Sequence, residues 1–510
     1  MTGPGDPPTE LPGPSTPTPE ETAPAPETGS LGNRAARGAA VTLGGQGARM
    51  VLQLASVVVL ARLLTPDDYG LLAIVLVVVG VGEIFRDFGL STAAIQARSL
   101  SSRQRDGLLW INAGIGATLC LVVLAGAPLL SAAFGRPELT GLARTLSLTF
   151  LVNGLATQYR ADLTRRMRFG RLVLCDIAGQ AAGLTGAIVA ASLGAGYWSL
   201  AVQQLAQVSV VLVGLVTVAR WLPGRPRRDS GVGPMLRLGG RLAGTQLLYY
   251  VSNNLDTLTI GIRFTSTDLG LYNRGFQLAM TPVNQLRSPA TTVALPVLSR
   301  LQSDPRRAAG YIVRGQLTLG YTLVAGLALA VGVARPLVGV MLGPQWTQVV
   351  PVFAFLATAA ALSTLSFVGF WVYLSRGMGR DLMHYTMVAF VLQLACILTG
   401  SLFGVVGVAG GYAVAAALEW PLSLVWLSRR TSLPVRALLQ GAARIVVVGV
   451  GAALAAFAAS RALDAVPQVV AALAGVAAGL AVYGLLSLLC APIRRDVLAV
   501  VDVVRRVARR

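Results

Sequence analysis

The arginines of this chain are concentrated in every second connection between its long apolar segments. All 42 basic side chains are arginine, because the sequence has no lysine. The basic connections lie at 96–107, 160–171, 220–237, 300–314, 376–383 and 429–436. The alternate connections carry few charges, and those around Gly194 and Gly343 carry none. Basic loops stay on the cytoplasmic side when a membrane protein inserts, so the alternation predicts a polytopic membrane protein and its orientation.

The apolar segments between these connections are long enough to cross a bilayer, which requires about 20 residues in a helix. Fourteen can be counted, at 39–62, 70–95, 108–132, 140–160, 172–194, 197–220, 238–262, 270–299, 315–342, 348–375, 384–402, 404–428, 438–460 and 466–491. A mean hydropathy of +0.66, with 13% charged residues, excludes an ordinary soluble protein. We therefore expect an all-α membrane protein with about 14 transmembrane helices and both termini in the cytoplasm.

The two ends of the chain differ from this pattern. Residues 1–33 are rich in Pro, Thr and Glu, and we expect a disordered cytoplasmic tail because they cannot bury an apolar core. Residues 433–510 hold the last two helices and a basic cytoplasmic tail. The net charge of +20 predicts contact with anionic membrane lipids and no nucleic acid, since the arginines lie beside membrane segments.

An internal duplication divides the membrane region into two repeats. A shift of 200 residues superimposes LTPDDYGL at 64–71 on FTSTDLGL at 264–271, with Thr, Asp, Gly and Leu matched. The turns at Gly135 and Gly194 resemble, in the same order, those at Gly343 and Gly404. These matches predict an N-lobe at 34–230 and a C-lobe at 231–432, each with six helices. Six is even, so the repeats are parallel and related by a pseudo-two-fold axis along the membrane normal, as in many secondary transporters.

Polar side chains within the membrane segments are concentrated in helices 1, 2, 7 and 8, the first two helices of each repeat. They are Arg49 and Gln53 in helix 1, Glu83, Arg86 and Asp87 in helix 2, Arg241, Asn253, Asn254 and Asp256 in helix 7, and Arg274, Gln277, Asn284 and Arg287 in helix 8. Polar groups inside a bilayer are costly and normally face protein or water. Their pairing across the duplication predicts a water-filled cavity between the two lobes.

The cavity is expected to be net basic. The five arginines of these helices outnumber the three acids Glu83, Asp87 and Asp256. A guanidinium forms forked contacts with phosphate, so we expect Arg49, Arg86, Arg241, Arg274 and Arg287 to bind an anionic diphosphate. The acids are the candidates for ion coupling. Structural roles remain open: any of the arginines suits an ion pair, Glu83 can pair with Arg86 one turn on, and Arg241 and Arg274 lie near enough to helix ends to snorkel.

Enzymatic motifs are not found in the sequence. It has no Walker-type phosphate loop, no cysteine–histidine cluster that would bind a metal, and one histidine. The four cysteines all lie in apolar segments, where a cysteine behaves as a small hydrophobe. We therefore expect a carrier that needs no cofactor and no metal, rather than an enzyme.

Several segments resemble a known family. ARLLTPDDYG at 61–70, FGL at 88–90, NNLDTLTIG at 253–261, LGLYNR at 269–274 and LPVLSRLQ at 295–302 are similar to the oligosaccharide flippases, or Wzx-type polysaccharide exporters, of the MOP superfamily. The resemblance covers about residues 35 to 430. It implies a MATE-like arrangement of two lobes around a cavity lined by helices 1, 2, 7 and 8.

The resemblance also implies an activity. Members of the family export polyprenyl-pyrophosphate-linked oligosaccharide from the inner to the outer leaflet by alternating access, and an ion gradient or the membrane potential is the expected driving force. Cavity arginines in the superfamily engage the lipid diphosphate, and Arg49, Arg86 and Arg274 lie in the matching helices. Expected partners are the lipid-linked oligosaccharide, a polysaccharide polymerase and glycosyltransferases, around a monomeric protein.

Three alternatives were weighed against this function. A cell-wall precursor flippase of the lipid II type differs only in the headgroup of its substrate. A MATE-like drug or metabolite antiporter would require a net acidic cavity for cationic drugs. A membrane-embedded glycosyltransferase or polymerase normally has a large loop outside the membrane, whereas the outward connections of this sequence are short.

Overall fold

The protein is described by a computed structural model at residues 28–87, 90–96, 101–225, 250, 254–463 and 465–508. Most of these residues are helical, and there is no strand among them. The helices are α1 (Thr28–Leu63), α2 (Pro66–Asp87), α3 (Leu90–Gln96), α4 (Ser102–Phe134), α5 (Glu138–Arg165), α6 (Phe169–Ser192), α7 (Trp198–Ala219), α8 (Leu255–Arg263), α9 (Ser266–Arg300), α10 (Pro305–Leu319), α11 (Ala325–Gly332), α12 (Ala334–Met341), α13 (Val349–Ser375), α14 (Gly379–Gly400), α15 (Gly404–Ser428), α16 (Val435–Ala462), α17 (Gln468–Leu489) and α18 (Ala491–Ala508).

The described residues contain eleven helical segments that are long and apolar enough to cross a membrane. One of them, Gly379–Ser428, holds both α14 and α15, which a single 3-10 turn joins. The polar helix α9, 35 residues long, adds a crossing. The segment predicted at 238–262 lies mostly outside the described residues, and its described end is α8. The predicted architecture of about fourteen transmembrane helices in two lobes is confirmed, and the protein is a multi-pass membrane protein.

Several predicted boundaries are corrected. The segment predicted at 70–95 begins at Pro66, and its last part is a separate short helix, α3. The segment predicted at 315–342 is divided into α10, a π-helical turn at Gly320–Val324, α11 and α12. Residues 28–33 of the predicted disordered tail belong to α1, while residues 1–27 lie outside the described residues. Hydropathy shows how long the apolar part of a helix is. Caps and turns outside that part determine where the helical backbone hydrogen bonds end.

The duplication is visible as repeated packing. In the N-lobe, which comprises α1–α7, α5 packs against α4, α2 and α7. In the C-lobe, which comprises α8–α15, α13 packs in the same relation against α11, α9 and α15. The pairs α6–α7 and α14–α15 are equivalent in the same way. The sequence repeat therefore corresponds to a repeat of structure.

The last helices form an appendage on the C-lobe. Helices α16 and α17 pack against each other and against α10–α12. Small residues permit the close approach: a side chain at Gly475 or Gly479 would meet backbone oxygens of α16. Helix α18, in the predicted basic tail, follows α17 directly and is held by an ion pair of 2.7 Å from Arg444 to Asp496. None of these helices lines the cavities described below.

Candidate functional site: a polar cavity between the lobes

A central cavity of about 540 Å³ lies between the two lobes. Helices α1, α2, α6 and α7 line it from the N-lobe, and Tyr250, Asn254, α8 and α9 line it from the C-lobe. Its polar side chains are Gln53, Ser56, Gln180, Gln203, Gln204, Gln207, Asn254, Thr257, Asn273, Arg274, Gln277, Thr281 and Asn284, together with the hydroxyls of Tyr69 and Tyr250. Amides and hydroxyls both donate and accept, so the lining is suited to a hydrogen-bonding ligand such as a sugar.

Arg274 is the one charged side chain in the described lining of the central cavity. Its guanidinium carbon lies 3.5 Å from the centre of the Tyr69 ring, and Nη1 donates to Oε1 of Gln277 at 2.7 Å. Its Nε has no hydrogen-bond partner, and no ion pair joins Arg274 to a carboxylate anywhere in the described ranges. A cation held by an aromatic face and an amide keeps its charge uncompensated, which favours an anion in the cavity.

The cavity is closed at the end where α2 and α9 begin, called here the sealed end. A Cβ atom at Gly70 would collide with the carbonyl oxygen of Ser266, and one at Gly270 would collide with that of Pro66. Gly270 lies 200 residues after Gly70, and Ser266 lies 200 residues after Pro66, so the contact is symmetric about the pseudo-two-fold axis. The two glycines let the backbones of the two lobes touch with no room for a side chain.

Helices α2 and α9, which touch at the sealed end, begin with the same cap. Thr65 and Asp68 exchange bonds, from the Thr65 amide to the carboxylate at 2.8 Å and from the Asp68 amide to the hydroxyl at 3.3 Å. Thr265 and Asp268 make the same two bonds, each at 3.2 Å. Such a reciprocal cap satisfies two of the free amides at a helix start. The predicted alignment of 64–71 with 264–271 is therefore an equivalence of local geometry.

A cluster of polar groups joins the lobes beside this crossing. Arg136, after α4, donates to Asp67 at 2.6 Å and to the Ser266 hydroxyl at 2.9 Å. Ser266 also donates to Asp67. The side chains of Arg136 and Asp67 are about one third exposed, so their ion pair is partly screened by solvent.

A tryptophan of the C-lobe completes the sealed end. Trp346, in the 3-10 turn Pro344–Trp346, is fully buried and meets Tyr69 edge to face at 5.6 Å between ring centres. Its Nε1 donates at 2.8 Å to the carbonyl of Ala61, which also accepts from Gln345 at 2.8 Å. The last carbonyls of a helix have no partner within it, so the C-lobe caps the end of α1.

A second cavity of about 480 Å³, called here the basal cavity, continues toward the start of α1. Gln53, Gln180 and Gln207 line both cavities. In the basal cavity Asp176 of α6 accepts from Arg49 of α1 and from Arg160 of α5, in the latter case at 2.6 Å and 3.2 Å. Two guanidiniums share one carboxylate, which leaves the group net positive.

The other predicted arginines have protein partners away from the central cavity. Arg86 donates to Glu83 one turn before it, at 2.6 Å, and to Thr157. Arg287 donates to the hydroxyls of Ser363 and Thr364 of α13, at 2.8 Å and 2.9 Å. Neither arginine lines either cavity.

The remaining predicted residues are distributed as follows. Asp256 is 2% exposed, accepts from the hydroxyl of Tyr272 and is not in the lining. Gln53, Asn254, Gln277 and Asn284 line the central cavity. Arg241, Asn253 and the side chain of Asp87 lie outside the described residues.

Helices α6 and α7 also line the cavity, which the sequence analysis did not predict. Gln203 and Gln207 lie one turn apart on α7, and Gln180 lies on α6. The Gln203 amide donates to Ser56 of α1 at 2.8 Å. The spacing of four between the two glutamines is typical of a polar helix face, but their amides are uncharged and do not show in a charge pattern. Arg160 lies in the predicted basic connection at 160–171.

Two parallel six-helix lobes around a polar cavity that is closed at one end define a transport protein of the alternating-access class. Solved structures share this fold: a lipid II flippase MurJ in an inward closed conformation has a TM-score of 0.69 at 13% identity, covering 90% of this chain and 99% of that one. An inward-facing multidrug resistance MATE family transporter of the MOP superfamily has a TM-score of 0.58 at 15% identity, covering 79% and 99%.

Within this class the sequence defines the family. Residues 59–351 match the model of a family described as polysaccharide biosynthesis protein, and the chain belongs to that family. The lipopolysaccharide biosynthesis protein WzxC of Escherichia coli (strain K12) is 24% identical over 73% of this chain and 76% of its own length. The succinoglycan biosynthesis transport protein ExoT of Rhizobium meliloti (strain 1021) is 25% identical over 69% and 72%. The expected resemblance to polysaccharide flippases of the MOP superfamily is confirmed.

Proposed function

We propose that the protein is a flippase that moves polyprenyl-pyrophosphate-linked oligosaccharide from the inner to the outer leaflet of the cell membrane by alternating access. The observation that carries this proposal is Arg274, a cation that has no carboxylate partner among the described residues and lies in a cavity otherwise lined by amides, hydroxyls and apolar groups. The named relatives act in lipopolysaccharide and succinoglycan biosynthesis, which fits such a substrate. Glycosyltransferases that build the oligosaccharide and a polymerase that consumes it are the expected partners.

The distribution of charge supports an orientation for this activity. The basic connections 96–107 and 160–171 and the start of α1 belong to the end of the bundle opposite the sealed end. Basic connections remain in the cytoplasm, so the sealed end would face outward, with both termini inside. The conformation described here would then be the one that receives substrate from the inner leaflet.

The chemistry of the cavity supports the class of headgroup. A diphosphate offers several anionic oxygens, which a guanidinium binds with paired hydrogen bonds of about 1.5–3 kcal/mol each. The ring of Tyr69 covers one face of Arg274 and Nη1 donates to Gln277, so the anion would bind the remaining N–H groups in the plane of the guanidinium. The amides of Gln53, Gln207 and Asn284 would meet the sugars. A cationic drug would be repelled by Arg274, so nothing in this cavity favours the antiporter alternative.

Ion coupling stays part of the proposal. A carrier that exports against a gradient requires an energy source, and intramembrane acids are the groups that sense one. Glu83, bound to Arg86 and Asn153, and Asp256, bound to Tyr272, are the acids within the described part of the membrane region that we assign to this role, with Asp87 as the third candidate. Flipping measured under a proton gradient, a sodium gradient or a potential alone would identify the driving force.

The test of the diphosphate site is the substitution Arg274→Ala. In proteoliposomes, the flipping of a fluorescent polyprenyl-pyrophosphate-linked oligosaccharide is expected to fall at least tenfold, because one charged contact of this kind is worth that factor. Arg274→Lys should recover part of the rate, since an ammonium keeps the charge but not the forked contact.

The matched control is Arg314→Ala. Within the described residues, the Arg314 side chain bonds only to the carbonyl of Gly310 in its own helix, and it lines neither cavity. This variant should flip substrate at the wild-type rate, and thermal unfolding should show that both variants are folded. If Arg274→Ala matched the control, the assignment of Arg274 to substrate would be wrong.

A further inference from the structure

The basal cavity contains a cluster of three charges contributed by three helices. Arg49 comes from α1, Arg160 from α5 and Asp176 from α6. The side chains of Arg160 and Arg49 are 46% and 31% exposed, whereas that of Asp176 is 15% exposed. The arginines are therefore accessible from the cavity, and the carboxylate lies between them.

The carboxylate does not use the hydrogen-bonding capacity of the two arginines fully. Arg160 binds both oxygens of Asp176 through Nη1 and Nη2, and Arg49 binds one of them through Nη2. The Nε of Arg49 is buried and has no partner. A guanidinium has five N–H donors, so the pair offers ten to an acceptor with two oxygens. An anion with more oxygens and more charge would satisfy more of them.

We propose that Arg49 and Arg160 form an entry site for the diphosphate, and that Asp176 occupies this site in the empty protein. This inference rests on the proposed function and adds to it a second station on the path of the substrate. The diphosphate displaces the carboxylate, binds both arginines and then passes along the shared wall of Gln53, Gln180 and Gln207 to Arg274. Asp176 re-forms its ion pairs once the substrate has left.

The carboxylate of Asp176 limits the affinity of the entry site for the diphosphate. Two arginines without a competitor would hold a diphosphate tightly and would slow its transfer to the single arginine deeper in the cavity. Displacement of Asp176 breaks the existing ion pairs and places the carboxylate beside a like charge, which weakens binding. A conducting path needs sites that admit the ligand and also release it. Arg49 and Arg160 are thus binding residues, whereas Asp176 sets the affinity.

A purely structural role for Asp176 makes the opposite prediction. If the carboxylate served only to orient the two arginines, its loss would leave them repelling each other, and diphosphate would bind more weakly. Asp176→Asn separates the two roles, because the amide keeps an acceptor oxygen and a similar shape while losing the negative charge. The sign of the change in affinity decides between competition and support.

The experiment measures the binding of farnesyl pyrophosphate to the full-length protein in nanodiscs by calorimetry, with farnesol as the uncharged comparison. Asp176→Asn is expected to bind the pyrophosphate severalfold more tightly than the wild type. Arg160→Gln, which keeps a donor for Asp176 and so preserves the fold, is expected to bind about tenfold more weakly. Unchanged binding in Arg160→Gln, or weaker binding in Asp176→Asn, would overturn the entry site.

Matched controls lie at the end of α5. Asp162 of α5 and Arg166, the residue that follows this helix, form an ion pair at 3.0 Å outside both cavities. Asp162→Asn and Arg166→Gln therefore make the same changes of charge in the same lobe, and both should bind like the wild type. If Asp162→Asn bound as tightly as Asp176→Asn, the gain would reflect net charge alone and the proposal would fail.

Arg274→Ala separates this inference from the proposed function. If Arg274→Ala binds weakly and Arg160→Gln binds like the wild type, the diphosphate function stands and the entry site is wrong. If Arg160→Gln weakens binding both in the wild-type protein and in the Arg274→Ala variant, the entry site is supported independently of Arg274. If the wild-type protein does not distinguish farnesyl pyrophosphate from farnesol, both proposals are wrong.

Discussion

Replacing Gly70 or Gly270 by alanine adds one methyl group where α2 and α9 touch, and it should open the sealed end of the cavity. A Cβ at Gly270 would lie 2.8 Å from the carbonyl carbon of Pro66 and 3.0 Å from the amide nitrogen of Gly70, and closer still to the Pro66 oxygen. Ordinary contact requires 3.4–4 Å. All three neighbours are backbone atoms, so no side chain can rotate away, and the helices α2 and α9 must separate to relieve the overlap.

The size of the shift toward the open conformation depends on which conformation contains the steric overlap. Overpacking by a methyl group costs typically about 1–3 kcal/mol. Alanine also favours a helix over glycine by about 1 kcal/mol, but α2 and α9 remain helical in both conformations, so this gain cancels. The overlap exists only while the lobes touch. The ratio of the open to the sealed conformation should therefore rise by a factor of about 5 to 150.

A cysteine at Asn273, which lines the central cavity, reports this change. In a background without the four native cysteines, an impermeant maleimide added outside intact cells should label Asn273→Cys faster when Gly70→Ala or Gly270→Ala is present. Gly126→Ala is the matched control, because a Cβ at this α4 position meets no atom within 4 Å. If Asn273→Cys were labelled as slowly as in the control, the contact of α2 with α9 at Gly70 and Gly270 would not seal the cavity.

Two further substitutions test the polar contacts. Arg136→Ala removes the ion pair to Asp67, and because the pair is about one third exposed it should favour opening by only about 0.2–1 kcal/mol, an effect that 1 M salt should abolish in the same labelling assay. Asp256→Ala leaves the buried hydroxyl of Tyr272 without its acceptor and should lower the free energy of unfolding by about 1–3 kcal/mol. Asp256→Asn keeps an acceptor oxygen and should lower it by less. Equal destabilisation of the two variants in a thermal unfolding assay would contradict this reasoning.

Much of the fold could be predicted from local sequence. A membrane helix satisfies its backbone hydrogen bonds within a single segment, so about 20 apolar residues suffice to identify it wherever the other segments lie. The motif at 64–71 and 264–271 predicted the repeat because a helix cap is also local, made by Thr65 and Asp68 three residues apart. Boundaries were less accurate, as α3 and the interruption between α10 and α11 demonstrate.

The site could be predicted only in part. Polarity and periodicity placed Gln53, Asn254, Arg274, Gln277 and Asn284 in a cavity, because a polar stripe on a membrane helix must face protein or water. The same rule also predicts that the glutamine amides of α6 and α7 face the cavity, because an amide is polar although it carries no charge.

Tertiary structure alone decided which arginines keep an uncompensated charge. Arg49 and Asp176 are 127 residues apart in the sequence, yet their side chains meet in the basal cavity. Arg274 has a similar sequence setting, but its neighbours are Tyr69 and Gln277 and no carboxylate reaches it within the described residues. Hydropathy and helical period are properties of one segment, whereas the compensation of a charge depends on which other segments lie within a few ångströms, and only the packing of the lobes determines that.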